Sequence, residues 1–179
     1  MCQPDWKPGL LGSVFFLFWS ASLLFVPKLA DKFGRRWIYL SSRLIETALY
    51  IASVAISEYW GMVGLMSVFG LAAAGRINVQ AVYIQEWVPR KSQTHWSVMF
   101  SVDSAFSELL ALSLLWFVTQ DTFYVRIIGL SLCLLSIPAT IALPESPRLL
   151  AAQGNVTELQ AAFQRMAWFN RKNFALTPD

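Results

Sequence analysis

Asp31-Lys32-Phe33-Gly34-Arg35-Arg36 lies between two long apolar runs, and its reading decides the fold. Four of its six residues are charged, while Leu10–Val26 before it and Trp37–Ile56 after it are almost free of charge. A short basic turn between two membrane-length segments is a helical hairpin of an integral membrane protein, with Lys and Arg marking the inner side. Gly34 is placed to supply a positive φ at the turn. Asp31 is within reach of the arginines that follow it.

Composition agrees. Of the 179 residues, 56% are hydrophobic and 14% charged, whereas soluble domains carry roughly 25% charged residues. Mean hydropathy is +0.49. Spanning takes about 20 apolar residues, and five segments qualify: 9–29, 37–57, 62–84, 96–118 and 124–143. Tryptophans and tyrosines gather near the segment ends, as interfacial anchors do. Lys32, Arg35, Arg36, Arg90, Lys91, Arg148, Arg165, Arg171 and Lys172 fall on one side, while Lys7 falls on the other, with Arg126 near it. This asymmetry predicts an N-terminus outside and a C-terminus inside. The fold class expected is all-α and multi-pass, with a five-helix membrane domain over 1–143 and an inner-side helical tail over 144–179. In the tail, Ser146-Pro147 reads as an N-cap with Pro at the first helical position, and Gly154 as a stop. Asn155 to Glu158 reads as a capping box. Leu159, Ala162, Phe163, Met166 and Ala167 form an apolar stripe that needs a surface to lie on.

Several function classes fall away. The net charge of +3 reads as loop asymmetry and gives no sign of nucleic-acid binding. Cys2 and Cys133 are too few for a disulfide framework or zinc site, and His95 is the single histidine. No metal, cofactor or enzymatic nucleophile–base pair is expected. Nor is a cleavable signal peptide, because segment 9–29 leads into the basic turn. The sequon at Asn155 is expected to carry no glycan on the inner side. The glycines at 61, 64, 70 and 75 read as close helix packing, with no phosphate loop.

Three motifs carry a resemblance. D-K-F-G-R-R at 31–36 resembles the loop between the second and third helices of the major facilitator superfamily of secondary transporters. Glu86-Trp87-Val88-Pro89-Arg90-Lys91 resembles that family's acidic motif between helices four and five. Pro144-Glu145-Ser146-Pro147-Arg148, with the tail to Asn170, resembles the segment after helix six in its organic cation/anion and sugar-transporting branches. The resemblance implies helices two to six of the first six-helix half. It also implies a charge network on the inner face from Asp31, Arg35, Arg36, Glu86, Glu145 and Arg148. Such a network either latches the transporter shut on that side or stands as a static set of surface pairs.

There are departures. Pro27 stands where the family has glycine, Phe18 and Ser22 where it has small residues, and Gln93-Thr94 where it has an arginine. Phe18 and Pro27 are expected to obstruct the contact with a second half. No counterpart of the first helix is visible before segment 9–29. Alternating access needs two halves of six helices, roughly twelve in all. The expectation is therefore a degenerate transporter half, retained as an accessory subunit that contacts the lipid bilayer and other membrane subunits. A large energy-transducing complex, such as one of the mitochondrial inner membrane, is a natural host. The alternative is an active solute carrier completed by partner chains or by further polypeptide.

Ionisable residues inside the spans sharpen the choice. Arg43 and Glu46 share one helix face and are expected to pair with each other or with the inner loop. At ~1.5 Å per residue, Arg76 and Glu108 lie about 20 Å from the inner ends, and Asp103 about 14 Å. A charge so deep costs roughly 2.5–3.5 kcal/mol unless satisfied, so Arg76 is expected to pair with Glu108 or Asp103. These three form either an internal latch or a substrate path.

Overall fold

The computed structural model describes residues 6–56, 58–118 and 122–169. Cys2, Ser57, the turn at 119–121, and the tail end with Asn170, Arg171 and Lys172 lie outside the described residues. Helices account for nearly all of the rest: α1 (Trp6–Ser22), α2 (Val26–Phe33), α3 (Arg35–Ala55), α4 (Tyr59–Ala73), α5 (Gln80–Trp87), α6 (Gln93–Ser113), α7 (Thr122–Ala142), α8 (Pro147–Ala152) and α9 (Val156–Phe169). No strand occurs among the described residues.

The segment expected to run unbroken over 9–29 is broken. α1 and α2 meet at 45°, because Pro27 stands in the first turn of α2 and its ring excludes the carbonyl four residues back. Among the described residues, three helical stretches are long and apolar enough to cross a membrane: residues 59–87, 90–117 and 123–152. The bent α1–α2 pair makes a fourth if it counts as one span. The third stretch runs past the α7–α8 junction. α3 is not among them, since Arg43, Glu46 and the hydroxyls of Ser41, Ser42, Thr47 and Ser53 lower its hydropathy. Each of those four hydroxyls donates to a carbonyl three or four residues earlier. A helix can carry such groups in an apolar medium because they are satisfied internally.

α3 is the hub of the bundle. It packs on α2, α4, α5 and α7, while α1 lies mainly along α4. The helices approach closely where a side chain is absent. A Cβ on Gly70 would stand 2.4 Å from the Phe15 carbonyl oxygen and 3.1 Å from the Phe18 Cβ. Phe18 therefore turns into the α1–α4 contact, and Ser22 is wholly buried. Gly70 makes room for the Cβ of Phe18 within the chain, and the Phe18 side chain stays half-buried. Pro27 is exposed. Gly129 of α7 likewise admits the Tyr50 ring, 3.0 Å from where its Cβ would be. Gly64 serves no such contact.

Between α4 and α5 the helix widens into a π-helical turn at Ala74–Val79. Ala74 and Val79 of this turn join Val26 and Ala30 of α2 in the core, with Trp19, Ile38 and Tyr39 against them.

The turn between α2 and α3 requires glycine twice over. Gly34 has φ +103°, and a Cβ there would stand 2.6 Å from Glu145 Oε2. Gly34→Ala is expected to lower stability by about 2 kcal/mol or more, the left-handed penalty alone being roughly 1–2 kcal/mol. A thermal melt in detergent checks this.

Candidate functional site

Two charged clusters stand out, one at the basic end of the bundle and one halfway along α3. At the basic end the termini of α2, α3, α5 and α8 are clamped together. Arg35 opens α3 and reaches Asp31 at 3.0 Å and Glu86 of α5 in an ion pair. Glu86 also accepts a hydrogen bond from the Ser146 hydroxyl, and that hydroxyl caps α8 by accepting from the Leu149 N–H. Glu145 completes the clamp, its Oε1 accepting from the Arg36 and Ser146 N–H groups, each at 3.0 Å. The Arg36 N–H is one of the first-turn donors of α3, which no helix can satisfy internally, so a carboxylate there is well placed. The Arg36 guanidinium donates to the Ile141 carbonyl at 2.8 Å. The Tyr83 hydroxyl donates to the Pro144 carbonyl.

Exposure separates the pairs. Asp31 is 63% exposed at its side chain, while Arg35 and Glu86 are 16% and 9%. The Asp31 pair is worth about 0–1 kcal/mol, so of the two ion pairs of Arg35 the less exposed one, to Glu86, contributes more. Asp31, Arg35, Arg36, Glu86 and Glu145 are thus brought together. Arg148 is not: it stands exposed and joins no ion pair with the described residues. Ser146, which links Glu86 to α8, escaped the sequence reading as a member of this network. By sequence alone it reads only as a cap.

The second cluster departs from expectation. Arg76 pairs with Glu46 of α3, Nε to Oε1 at 2.9 Å, and Arg43 holds the other oxygen of that carboxylate at 2.8 Å. Arg43 also donates to Ser136 of α7 at 2.5 Å. The pairing expected between Arg76 and Asp103 or Glu108 is not formed. Arg76 belongs to the π-helical turn, which presses on α3: a Cβ on Gly75 would lie 1.8 Å from Ser42 Oγ. α6, which carries Asp103 and Glu108, touches the bundle through α5, and every residue of it from Ser101 to Leu110 is exposed. Along α3 at ~1.5 Å per residue, Glu46 sits about 16 Å from the basic end.

Beside this cluster lies a cavity of about 270 Å³, bordered by Glu46, Tyr50, Phe69, Arg76 and Arg126. Arg126 donates to the Ser53 carbonyl at 2.6 Å. No group of His, Cys, Asp and Glu able to hold a metal occurs among the described residues.

Beyond the basic end, α9 lays Leu159, Phe163 and Met166 over a hollow shared with Trp87, Pro147 and Ala151. The apolar stripe thus finds part of its surface within the chain.

A membrane bundle with a clamped basic turn narrows the families to consider, and comparison decides. The family model of the Major Facilitator Superfamily matches residues 8–177. The chain belongs to the Major Facilitator Superfamily. It is 25% identical over 171 residues to solute carrier family 22 member 16 of Bos taurus, covering 96% of this chain and 30% of the relative. It is 31% identical over 170 residues to solute carrier family 22 member 15-like of Xenopus laevis, covering 90% and 33%. Human synaptic vesicle glycoprotein 2B is 25% identical over 173 residues, with 88% and 25% covered. The chain therefore spans a quarter to a third of the length of the curated relatives it matches. The three motifs at 31–36, 86–91 and 144–148 all lie inside the matched region.

Proposed function

We propose that this chain is a solute-carrier-type membrane module serving as an accessory, structural subunit of a larger helical assembly. Five segments cross the bilayer in this reading, the basic end faces inward, and α8 and α9 lie on the inner surface. The observation that carries it is α6. None of its residues, Gln93–Ser113, is buried, yet it carries Asp103 and Glu108 beside Val102, Phe106 and Leu109, each more than 60% exposed. Carboxylates at membrane depth cost roughly 2.5–3.5 kcal/mol each when left in lipid. Helices that pack on α6 and bring cationic or hydrogen-bonding side chains to Asp103 and Glu108 remove that cost, whether they come from a partner or from further polypeptide. The clamp at the basic end then acts as a fixed brace that holds α3, α5 and α8 in register for docking.

The test is purification of the intact chain from native membranes with a photo-cross-linking residue at Phe106. Co-migrating membrane helices cross-linked to that position, without solute uptake by the purified material, are the expected result. A monomer that takes up solute alone overturns the reading. An assembly of the mitochondrial inner membrane is the first host to examine.

The cavity beside Arg76 favours a second reading, an active carrier completed by the same covering helices. That reading requires uptake by the assembled complex, lost on Arg76→Gln.

A further inference from the structure

Arg148 is the cation that the clamp leaves out. It is exposed and joins no ion pair with the described residues. It stands on the rim of a hollow of about 300 Å³ between the end of α5, α8 and α9. The wall is largely apolar, with Trp87, Pro147, Leu159, Phe163 and Met166. Glu86 is the carboxylate in this wall, and Arg35 and the Ser146 hydroxyl already engage it. Asp31, the other partner of Arg35, borders a different hollow with Pro27 and Asn78. Arg148 is therefore uncompensated. A neighbouring hollow at the same end gives the contrast: there Arg36 and Arg165 are matched by Glu145 and Glu158, so its charges balance.

Position points to where a counter-charge comes from. Trp87 closes the apolar stretch 59–87, and α7 ends at Ala142, a few residues before Arg148. A tryptophan at the end of a span sits at headgroup level, so the hollow opens at the depth of lipid phosphates. This end of the molecule also carries a surplus of exposed cations. Lys32, Arg90, Lys91, Arg148 and Arg165 are exposed there, against Asp31 and Glu158. Basic residues beside the ends of spans attract anionic lipid, and the same surplus disfavours the ammonium group of a zwitterionic headgroup.

We propose that the hollow between α5, α8 and α9 binds one anionic phospholipid, its phosphate on Arg148 and the start of its chains along Phe163 and Met166. Guanidinium and phosphate match in two-pronged geometry. At about 300 Å³ the space is at the small end of ligand pockets, roughly 300–1,000 Å³, so it takes the headgroup and glycerol while the chains return to the bilayer. The bound lipid ties α8 and α9 to the end of α5 at the membrane surface. The inference needs only that the basic end meets a bilayer surface, and it holds for an accessory subunit and for a carrier alike.

The experiment is native mass spectrometry of the full chain, purified in detergent with whatever accompanies it and titrated with phosphatidylglycerol or with phosphatidylcholine of the same chains. The first phosphatidylglycerol is expected to bind saturably and at least tenfold more tightly than phosphatidylcholine. Arg148→Gln is expected to weaken it about tenfold, as loss of a charge-assisted hydrogen bond does. Arg165→Gln removes the same charge from the neighbouring hollow and should leave the affinity within about twofold of wild type. Ala151→Trp, which fills the hollow, should abolish the tight site while the melting temperature holds. Equal affinity for the two lipids, or displacement by inorganic phosphate at matched concentration, overturns the proposal. So does a loss in Arg165→Gln as large as that in Arg148→Gln, which would mean diffuse attraction with no site. Wild-type affinity in Arg148→Gln or in Ala151→Trp overturns it as well. If Ala151→Trp does not fold, the comparison of Arg148→Gln with Arg165→Gln decides, since both arginines are exposed.

Discussion

Glu86→Ala is expected to destabilise the protein by about 3 kcal/mol, the low end of the range for removing one partner of a buried ion pair. The loss has two sources. Arg35, 16% exposed at its side chain, keeps its charge and loses its less exposed carboxylate partner. The Ser146 hydroxyl loses its acceptor, so the start of α8 is no longer tied to the end of α5. Glu86→Gln keeps an acceptor for Ser146 and removes only the charge, and is expected to fall between wild type and Glu86→Ala. Asp31→Ala serves as the control. Its carboxylate is 63% exposed, so its removal should cost no more than about 1 kcal/mol. Thermal melts of the three variants in one detergent rank them. A melt of Glu86→Ala indistinguishable from that of Asp31→Ala would show that the clamp carries no stability.

Gly75→Ala is expected to be the most damaging change. Its Cβ would fall 1.8 Å from Ser42 Oγ and 2.8 Å from Ser42 Cβ. Turning a side chain cannot remove the overlap of the two Cβ atoms, so the π-helical turn and α3 must separate. Overpacking of this kind costs typically 1–3 kcal/mol. Separation also draws the half-exposed Arg76 away from Glu46, which adds to the loss. The sum is enough to unfold a marginal bundle. The complementary exchange isolates the cause. Ser42→Gly clears both clashing atoms, so Gly75→Ala combined with Ser42→Gly should recover most of the lost stability. The coupling between the two sites should exceed 1 kcal/mol, as for residues in direct contact. Melting temperature and elution as a single species in size-exclusion chromatography are the readouts. Additive losses would mean that the two helices do not meet there.

These outcomes also show where sequence reading reaches. The turn at Gly34 was legible because a charged, glycine-containing break between apolar runs has few alternatives. The cap at Ser146 and the stop at Gly154 were legible for the same reason: each depends on residues next to it in the chain. Gly154 takes φ +70°, and Ser146 accepts from Leu149. The bend between α1 and α2 was carried by Pro27, which was noted as a departure from the family but not read as a break.

The partner of Arg76 was not legible. Depth along the helices placed Arg76 level with Glu108 and above Asp103, and depth is a one-dimensional coordinate. A choice among carboxylates at similar depth depends on which way each helix face turns. The π-helical turn at Ala74–Val79 shifts that facing by adding a residue to the turn, and no periodicity in the sequence announces it. The sequence offers Glu46 only Arg43 or the inner loop as a partner, and its second arginine is not visible there.

Local chemistry in the sequence was thus enough to establish a helical membrane protein, the places where its chain turns, and the family to which it belongs. Hydropathy, proline, glycine and capping residues act within one or two turns of themselves, and those effects survive in any packing. Tertiary structure alone decided that two arginines share Glu46, that Phe18 nests against Gly70, and that α6 stands apart with its acidic residues exposed. Each depends on how far one helix is rotated against another, and backbone contacts at Gly70 and Gly75 decide that rotation across many residues of intervening chain.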